Sequence, residues 1–249
     1  MRLALIGLLA STVFMALPAS SGGLGEMTAP ERDAFRAEVR AYLIENPEVL
    51  VEAMNELQAR DALSAAALEA RVLQDQAELI FNDPASWVGG NPNGDITIVE
   101  FLDYRCGYCR KAEEELMELL KSDGNIRFIV KEFPILGEQS LLSSRFAIAV
   151  RQLHGDDAYK TAHDALITMR GDATPEALAR LASEMGLEAQ PILDRMDSEA
   201  VNSIIVANQA LADLLQIGGT PTFVIDQTLV RGYVPLDEMR QIVAEQRGL

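Results

Sequence analysis

The sequence predicts an α/β fold, with a βαβ unit, a long block of helices and a closing ββα unit. Residues 95–102 and 126–133 are short β-branched and apolar runs, which indicate strands. Between them, residues 109–120 repeat apolar side chains at helical spacing, and a strand–helix–strand order implies parallel strands with a right-handed crossover. The remaining elements are predicted as four or five helices over 138–216, strands over 220–225 and 228–232, and a helix over 236–246.

Residues 1–21 are predicted to be an export signal. Arg2 supplies a positive start, residues 3–17 are largely apolar, and the small residues of 18–21 suit cleavage. The apolar stretch is about 15 residues long, short of the ~20 that a membrane-spanning helix needs. An uncleaved anchor is the alternative. A cleaved signal implies an exported protein, which we expect to be periplasmic.

Residues 22–83 are predicted as a helical extension that precedes the α/β domain of residues 84–249. Thr28, Pro30 and Glu31 form a capping-box pattern at the start of one helix. After Pro47, the segment up to residue 81 is rich in good helix formers and contains neither proline nor glycine, which is enough for a helix of about 50 Å. This helix either lies across the following domain or is an oligomerisation stalk, the interpretation we favour. Residues 87–94, with three glycines and a proline, are predicted as a loop.

Composition and charge limit the classes of function. Apolar residues make up 49% of the 249 residues and charged residues 24%, which excludes global disorder. The formal net charge is −17. An acidic chain of this kind repels nucleic acid and anionic membrane surfaces, so neither is expected as a partner.

The two cysteines form a single C-x-x-C motif, Cys106-Gly107-Tyr108-Cys109, at the predicted junction of a strand and a helix. A loop this short cannot staple a fold of this size, so reactivity explains the pair better than scaffolding. The positive end of the helix would stabilise a thiolate at Cys106, the expected nucleophile. Cys109, one turn further on, is expected to be shielded and to resolve the mixed disulfide. Gly107 is expected to leave the approach to Cys106 open.

Metal binding is the alternative use of the two thiols. Structural zinc takes four nitrogen or sulfur ligands, and the histidines His154 and His163 stand at no typical spacing from the motif. Both histidines are expected to be surface or interhelix residues without a catalytic partner. A soft Cu(I) ion accepts two thiolates, so copper binding stays open as a second role.

The C-x-x-C at a helix start, a helical insertion and the later Gly219-Thr220-Pro221-Thr222 together resemble the DsbA-like branch of the thioredoxin superfamily. The resemblance implies a thioredoxin fold with an inserted helical domain, and a thiol–disulfide oxidoreductase without a cofactor. It also implies a cis peptide bond between Thr220 and Pro221, facing the cysteines. A trans-proline turn is the alternative.

The resemblance assigns a further role to Glu100, six residues before Cys106. Acidic residues at this offset lie buried beneath the active site in thioredoxin-like proteins, so Glu100 is expected to relay protons for Cys109. A carboxylate at a strand edge facing water is the alternative. Lys131 is a candidate partner for Glu100, and the run Glu113-Glu114-Glu115 is expected to be a solvated helix face.

The dipeptide between the cysteines is Gly-Tyr, whereas the strongly oxidising DsbA proteins have Pro-His. Gly-Tyr with Thr220 before Pro221 is similar to the disulfide isomerases of the superfamily. The segment 42–50 resembles the N-terminal region of the copper-resistance ScsC-like proteins, some of which are oligomeric isomerases. The implied partners are exported proteins with thiols or disulfides, a membrane redox partner, and other copies of the chain through the N-terminal helices. The resemblance also leaves an oligomeric, copper-binding or chaperone-like protein as the alternative function.

Overall fold

The structure is a computed structural model, and it describes residues 27–248. The predicted signal, residues 1–21, lies outside the described residues. Contacts divide the chain into two compact units, one ending at Asp61 and the other beginning at Ala62. None of the helices among residues 27–248 is both long enough and apolar enough to cross a membrane.

The N-terminal unit consists of helix α1 (Ala29–Glu45) and the first part of helix α2 (Glu48–Asp75). The predicted capping box is present, since the Thr28 amide donates to Glu31 Oε2 over 2.8 Å. No residue of α1 is buried, and its apolar side chains Phe35, Val39 and Tyr42 are exposed.

The second unit is built on a five-stranded sheet in the order β1-β3-β2-β4-β5. Strands β2 and β3 are parallel neighbours, and every other pair is antiparallel. Helix α4 connects β2 to β3, and helix α10 closes the unit. The strands are β1 (Trp87–Gly90), β2 (Ile96–Leu102), β3 (Ile126–Glu132), β4 (Thr222–Ile225) and β5 (Thr228–Arg231); the helices that flank them are α3 (Ala77–Phe81), α4 (Gly107–Asp123) and α10 (Leu236–Gln246).

Five helices fill the segment between β3 and β4, within the four or five predicted over 138–216. They are α5 (Glu138–His154), α6 (Asp156–Thr168), α7 (Pro175–Glu184), α8 (Ala189–Met196) and α9 (Glu199–Leu214). The predicted class, an α/β thioredoxin fold with a helical insertion and N-terminal helices, is confirmed.

Both faces of the central strand β2 are buried, which explains its nearly unbroken apolar sequence. Ile98 and Leu102 enter the core formed with α4 and the insertion, whereas Val99 and Phe101 enter a second core with α3 and α9. Because side chains alternate along a strand, Glu100 lies on the same face as Ile98 and Leu102.

Two local predictions were wrong. Residues 87–90 are not loop but the edge strand β1, in which Trp87 pairs with Val130. Position 89 requires glycine, because a Cβ there would lie 2.1 Å from the Trp87 ring. The long helix also does not continue to residue 81, since α2 ends at Asp75 and Gln76 is the N-cap residue of the separate helix α3. No proline or glycine marks that break.

Candidate active site

Cys106 is the N-cap residue of α4, directly after the turn that follows β2. Its backbone is extended (φ −74°, ψ 119°), and its amide donates to the Asp103 carbonyl over 3.0 Å. Its carbonyl accepts from the Arg110 amide over 3.2 Å, the first bond of the helix. The Cys106 sulfur is therefore held at the helix end where backbone amides are left without intrahelical partners.

Asp103 fixes this turn from inside the protein. Its buried carboxylate accepts from the Arg105 amide over 2.8 Å through Oδ1. Through Oδ2 it accepts from the amides of Ile135 and Leu136 over 2.8 and 3.0 Å. One side chain thus joins the turn before Cys106 to the loop after β3. Sequence reasoning missed Asp103, although an aspartate three residues before a helix N-cap is a signal for such a turn.

The two cysteines differ in access to solvent. Both thiols are free, and Cys106 is 7% exposed, whereas Cys109 is fully buried. A Cβ built on Gly107 would meet no atom within 4 Å, so the space beside Cys106 is open as expected. Burial raises the pKa of the Cys109 thiol, and a negative charge on Glu100 raises it further.

Thr220 and Pro221 lie directly before β4, and Thr220 contacts Cys106. The Thr220–Pro221 peptide bond is cis, as the resemblance implied, and the Thr220 carbonyl oxygen accepts from Cys106 Sγ over 3.2 Å. The Pro221 carbonyl accepts from the Gly232 amide over 2.9 Å, which ties the loop after β5 to the same place. The sheet therefore brings together two motifs that are more than a hundred residues apart in the sequence.

Glu100 lies in the centre of the sheet and is buried, so a strand-edge carboxylate facing water is wrong. Burial raises the pKa of Glu100 well above its usual value, and the charges of Glu113, Cys106 and Glu132 add to this effect. Neither carboxylate oxygen has a hydrogen-bond partner among the residues that the structure describes.

Lys131 is not the partner of Glu100. It lies on the opposite face of the sheet, where its buried ammonium donates to Asp83 Oδ2 over 2.7 Å and to the Leu79 carbonyl over 2.8 Å. Strand alternation explains the error, because Glu100 pairs with Val130 in the parallel register and Lys131 is one residue further on.

A second group of buried polar side chains lies on the same side of the sheet as Glu100. His163 is fully buried and lies between helices α6 and α4, as the interhelix alternative predicted, whereas Glu113 is buried and not on a solvated face. Their spacing carried a signal: Glu113 follows Cys109 by four residues, and His163 follows Tyr159 by four, so each shares a helix face with a core residue. Tyr104, Glu132 and Tyr159 complete the group.

Among the described residues, the one group of at least three potential metal ligands is Glu113, His163 and Asp164, whose ligand atoms lie within 4.8 Å of one another. Asp164 is exposed and already forms an ion pair with Lys160. We assign no metal to this group.

The surface beside Cys106 is aromatic and basic. Tyr108 is 63% exposed, and its ring stacks near that of Tyr233, with the centroids 6.2 Å apart. Lys111 Nζ lies 4.0 Å from the centre of the Tyr233 ring, and the Tyr233 hydroxyl donates to Glu115 over 2.6 Å. Glu115 is thus engaged in a contact and is not part of a solvated acidic face.

A dithiol whose first cysteine keeps 7% exposure and whose second is fully enclosed, at a helix N-terminus and beside a cis-proline, defines a thiol–disulfide oxidoreductase of the DsbA-like class. Residues 97–244 match the family model described as a DSBA-like thioredoxin domain, and the chain belongs to this family. Residues 31–62 match the model of the N-terminal domain of copper resistance protein ScsC, which confirms the ScsC-like extension.

Solved structures agree with this assignment. A thioredoxin-like oxidoreductase from Silicibacter pomeroyi DSS-3 is 40% identical, has a TM-score of 0.65, and covers 69% of this chain and 98% of its own. A linker-deletion mutant of Proteus mirabilis ScsC is 25% identical, with a TM-score of 0.67 and coverage of 91% and 99%. The thiol-disulfide exchange protein α-DsbA2 from Wolbachia pipientis is 27% identical, with a TM-score of 0.67 and coverage of 74% and 98%.

The chain also matches part of a larger protein, the sodium–proton antiporter NhaA 1 of Salinispora arenicola. The two are 28% identical over 140 residues, which make up 56% of this chain and 21% of the antiporter. The chain therefore spans about a fifth of the length of that curated relative.

Proposed function

We propose that the protein exchanges disulfides in exported client proteins, with Cys106 as the nucleophile and Cys109 as the resolving thiol. The observation that carries this proposal is the contrast between the two sulfurs. Cys106 is at the open N-terminus of α4, within 3.2 Å of the Thr220 carbonyl, whereas Cys109 is shut away from solvent. A client therefore reaches one sulfur only.

In the first step, the Cys106 thiolate attacks a client disulfide. A bond forms between Cys106 Sγ and one client sulfur, the client disulfide breaks, and the second client sulfur leaves as a thiolate. Before it ionises, the Cys106 thiol donates to the Thr220 carbonyl, and once ionised its negative charge is stabilised by the positive end of α4. We assign Thr220 and Pro221 to the binding of the client backbone in an extended conformation beside Cys106.

In the second step, Cys109 attacks the mixed disulfide, and its proton must leave in a site without water access. Glu100 is the acceptor that we propose, since it lies on the face of β2 that packs against the core enclosing Cys109, and its negative charge raises the pKa of the Cys109 thiol. The carboxylate of Glu100 takes the thiol proton, the Cys106–Cys109 disulfide forms, and the client leaves as a thiolate. Run in reverse, the same steps oxidise a client dithiol.

We propose that isomerisation is the direction that matters, because the Gly-Tyr dipeptide lacks the histidine of the strongly oxidising relatives. The test compares three chains, the wild type, Cys106→Ser and Cys109→Ser, in the refolding of scrambled ribonuclease. We expect Cys106→Ser to lose all activity and Cys109→Ser to accumulate a mixed disulfide with the client. Equal activity of Cys106→Ser and wild type would reject the proposal.

We also propose that residues 22–83 assemble copies of the chain. Phe35, Val39 and Tyr42 recur on one face of α1 and are exposed, which an isolated helix in water does not favour. The double variant Phe35→Asp with Val39→Asp is expected to give a monomer by light scattering, whereas the exposed control Glu38→Gln keeps the wild-type mass. A wild-type monomer contradicts this proposal.

We propose that the protein is periplasmic after removal of residues 1–21. There, a membrane redox partner would return the dithiol to its reactive redox state. N-terminal sequencing of the protein from a periplasmic fraction tests this directly. A mature chain that begins near residue 22 supports export, and a chain that retains Arg2 contradicts cleavage.

A second proposal is that the dithiol binds Cu(I). It is favoured by the match of residues 31–62 to a domain of a copper resistance protein and by the two soft sulfur ligands. Titration with Cu(I) against a competing chelator is expected to give one ion per chain, lost in Cys106→Ser. No binding in the wild type rejects this role and leaves disulfide exchange intact.

A further inference from the structure

A continuous chain of buried hydrogen bonds joins the inserted helices to the active-site helix. His163 of α6 contacts Glu113 of α4 through Nε2 and Oε1 at 3.4 Å, and Tyr104 through Nδ1 and the hydroxyl at 3.2 Å. The Tyr104 hydroxyl donates to Glu132 Oε1 over 2.8 Å, and the Tyr159 hydroxyl donates to the same oxygen over 2.6 Å.

The protons of this hydrogen-bond network can be counted. Tyr104 has one hydroxyl proton and donates it to Glu132, so its oxygen accepts at the contact with His163. The imidazole therefore carries a hydrogen on Nδ1. Its Nε2 faces a carboxylate oxygen, and two lone pairs at this distance repel unless a proton lies between them. With Tyr104 donating to Glu132, the contact between Glu113 and His163 is satisfied when the two groups hold one proton in common.

This proton lies close to the redox pair. Glu113 follows Cys109 by four residues on α4, so the two buried side chains share one face of the helix. Among the charges around Glu100, that of Glu113 has the largest effect on the pKa of the Glu100 carboxyl. Glu113 is also 8% exposed, whereas Glu100 is almost completely enclosed. A proton taken up by Glu100 is therefore nearer to solvent once it reaches Glu113.

We propose that Glu113 and His163 form a one-proton store that passes the Cys109 proton between Glu100 and solvent, with His163 as a positioning residue supplied by the inserted helices. This inference rests on the proposed function, in which Glu100 accepts that proton. When Cys109 attacks the Cys106–client disulfide, the Cys106–Cys109 bond forms and the client sulfur leaves with its electron pair. The thiol proton goes to Glu100, the Glu113–His163 pair releases its shared proton to solvent, and the pair then takes up the proton from Glu100.

The aromatic rings packed against His163 cannot take over the proton-carrying role of the Glu113–His163 pair. Trp87 of β1 and Tyr159 of α6 stack near the imidazole, with centroid distances of 6.4 and 6.1 Å, and carry no charge at neutral pH. The titratable groups that face the pair or act on it through their charge come from five parts of the fold. They are Tyr104 in the turn after β2, Glu100 in β2, Glu113 itself in α4, Glu132 in β3, and Tyr159 and Asp164 in α6.

The first test needs no variant. The chain has only two histidines, so nitrogen NMR of the imidazoles resolves His163 beside the exposed His154 as an internal control. We expect Nδ1 of His163 to carry hydrogen at neutral pH, and Nε2 to share a proton with Glu113. A His163 ring with hydrogen on Nε2 and none on Nδ1 overturns the inference.

The second test is kinetic. The release of glutathione from a mixed disulfide with Cys106 is followed against pH in wild type, Glu113→Gln and His163→Phe, which keeps the stacked ring. We expect both variants to lose one ionisation from the pH profile and at least about tenfold in rate at neutral pH, since a positioned acid or base contributes ~10²-fold or more. Glu113→Asp is expected to recover part of the loss, and His154→Gln to match wild type.

These outcomes separate the two proposals. If the wild type releases glutathione and folded Glu113→Gln keeps the wild-type pH profile, the proton store is wrong and the dithiol function stands. If the wild type shows no exchange at Cys106, the proposed function itself fails. Should Glu113→Gln not fold, the wild-type NMR result and Glu113→Asp still decide.

Discussion

The buried Glu100 makes a quantitative prediction about stability. Its pKa is raised in the folded protein by burial, so the folded state binds this proton more tightly than the unfolded chain does. The stabilisation is fully present below the unfolded pKa of 4.5 and is lost as pH rises through the folded pKa. Between those two values, the free energy of unfolding falls by about 1.4 kcal/mol per pH unit on account of Glu100.

Glu100→Gln removes this pH dependence while keeping the shape of the side chain. The assay is urea unfolding of the reduced protein at several pH values from 5 upward, for wild type, Glu100→Gln and the exposed control Glu114→Gln. We expect the wild type to lose about 1.4 kcal/mol per pH unit relative to Glu100→Gln over the first units. The control is expected to run parallel to wild type. Parallel curves for wild type and Glu100→Gln would refute a raised Glu100 pKa.

Three further substitutions test the framework of the site. Asp103→Asn deprives three backbone amides of their shared carboxylate, and we expect a loss of about 2–3 kcal/mol in urea unfolding together with slower disulfide exchange. Lys131→Met leaves Asp83 without its buried cation and is expected to cost about 1–3 kcal/mol without slowing exchange. Gly89→Ala presses a methyl group on the Trp87 ring and is expected to cost about 1–3 kcal/mol. Wild-type stability in any of the three contradicts the contact concerned.

The sequence was sufficient for the fold class because its signals are local. Each signal is contained in a short stretch of sequence. These stretches are the β-branched runs around Ile98 and Ile129, the helical spacing after Cys109 and the Thr220-Pro221 motif. Two local errors came from glycine and proline positions. Gly89 and Gly90, which indicate a loop, lie in the edge strand β1. The break between α2 and α3 at Gln76 contains neither glycine nor proline, so nothing in the sequence marks it.

The polar interior was harder to predict because it depends on which faces meet. Lys131 and Glu100 are both in apolar strands, and only the register puts them on opposite faces of the sheet. Glu113 stands in an acidic run that reads as surface, yet its place four residues after Cys109 turns it inward. His163 comes from a helix distant in sequence, so its contact with Tyr104 had no local signal.

The central claim is that a client can reach Cys106 and cannot reach Cys109. Brief alkylation of the reduced, native protein followed by mass spectrometry measures both sulfurs in one experiment. Because Cys106 keeps 7% exposure at a helix N-terminus and Cys109 is fully enclosed, we expect Cys106 to react at least ~100-fold faster, and the two to react alike after unfolding in urea. Equal labelling of the native protein, or faster labelling of Cys109, would contradict the account.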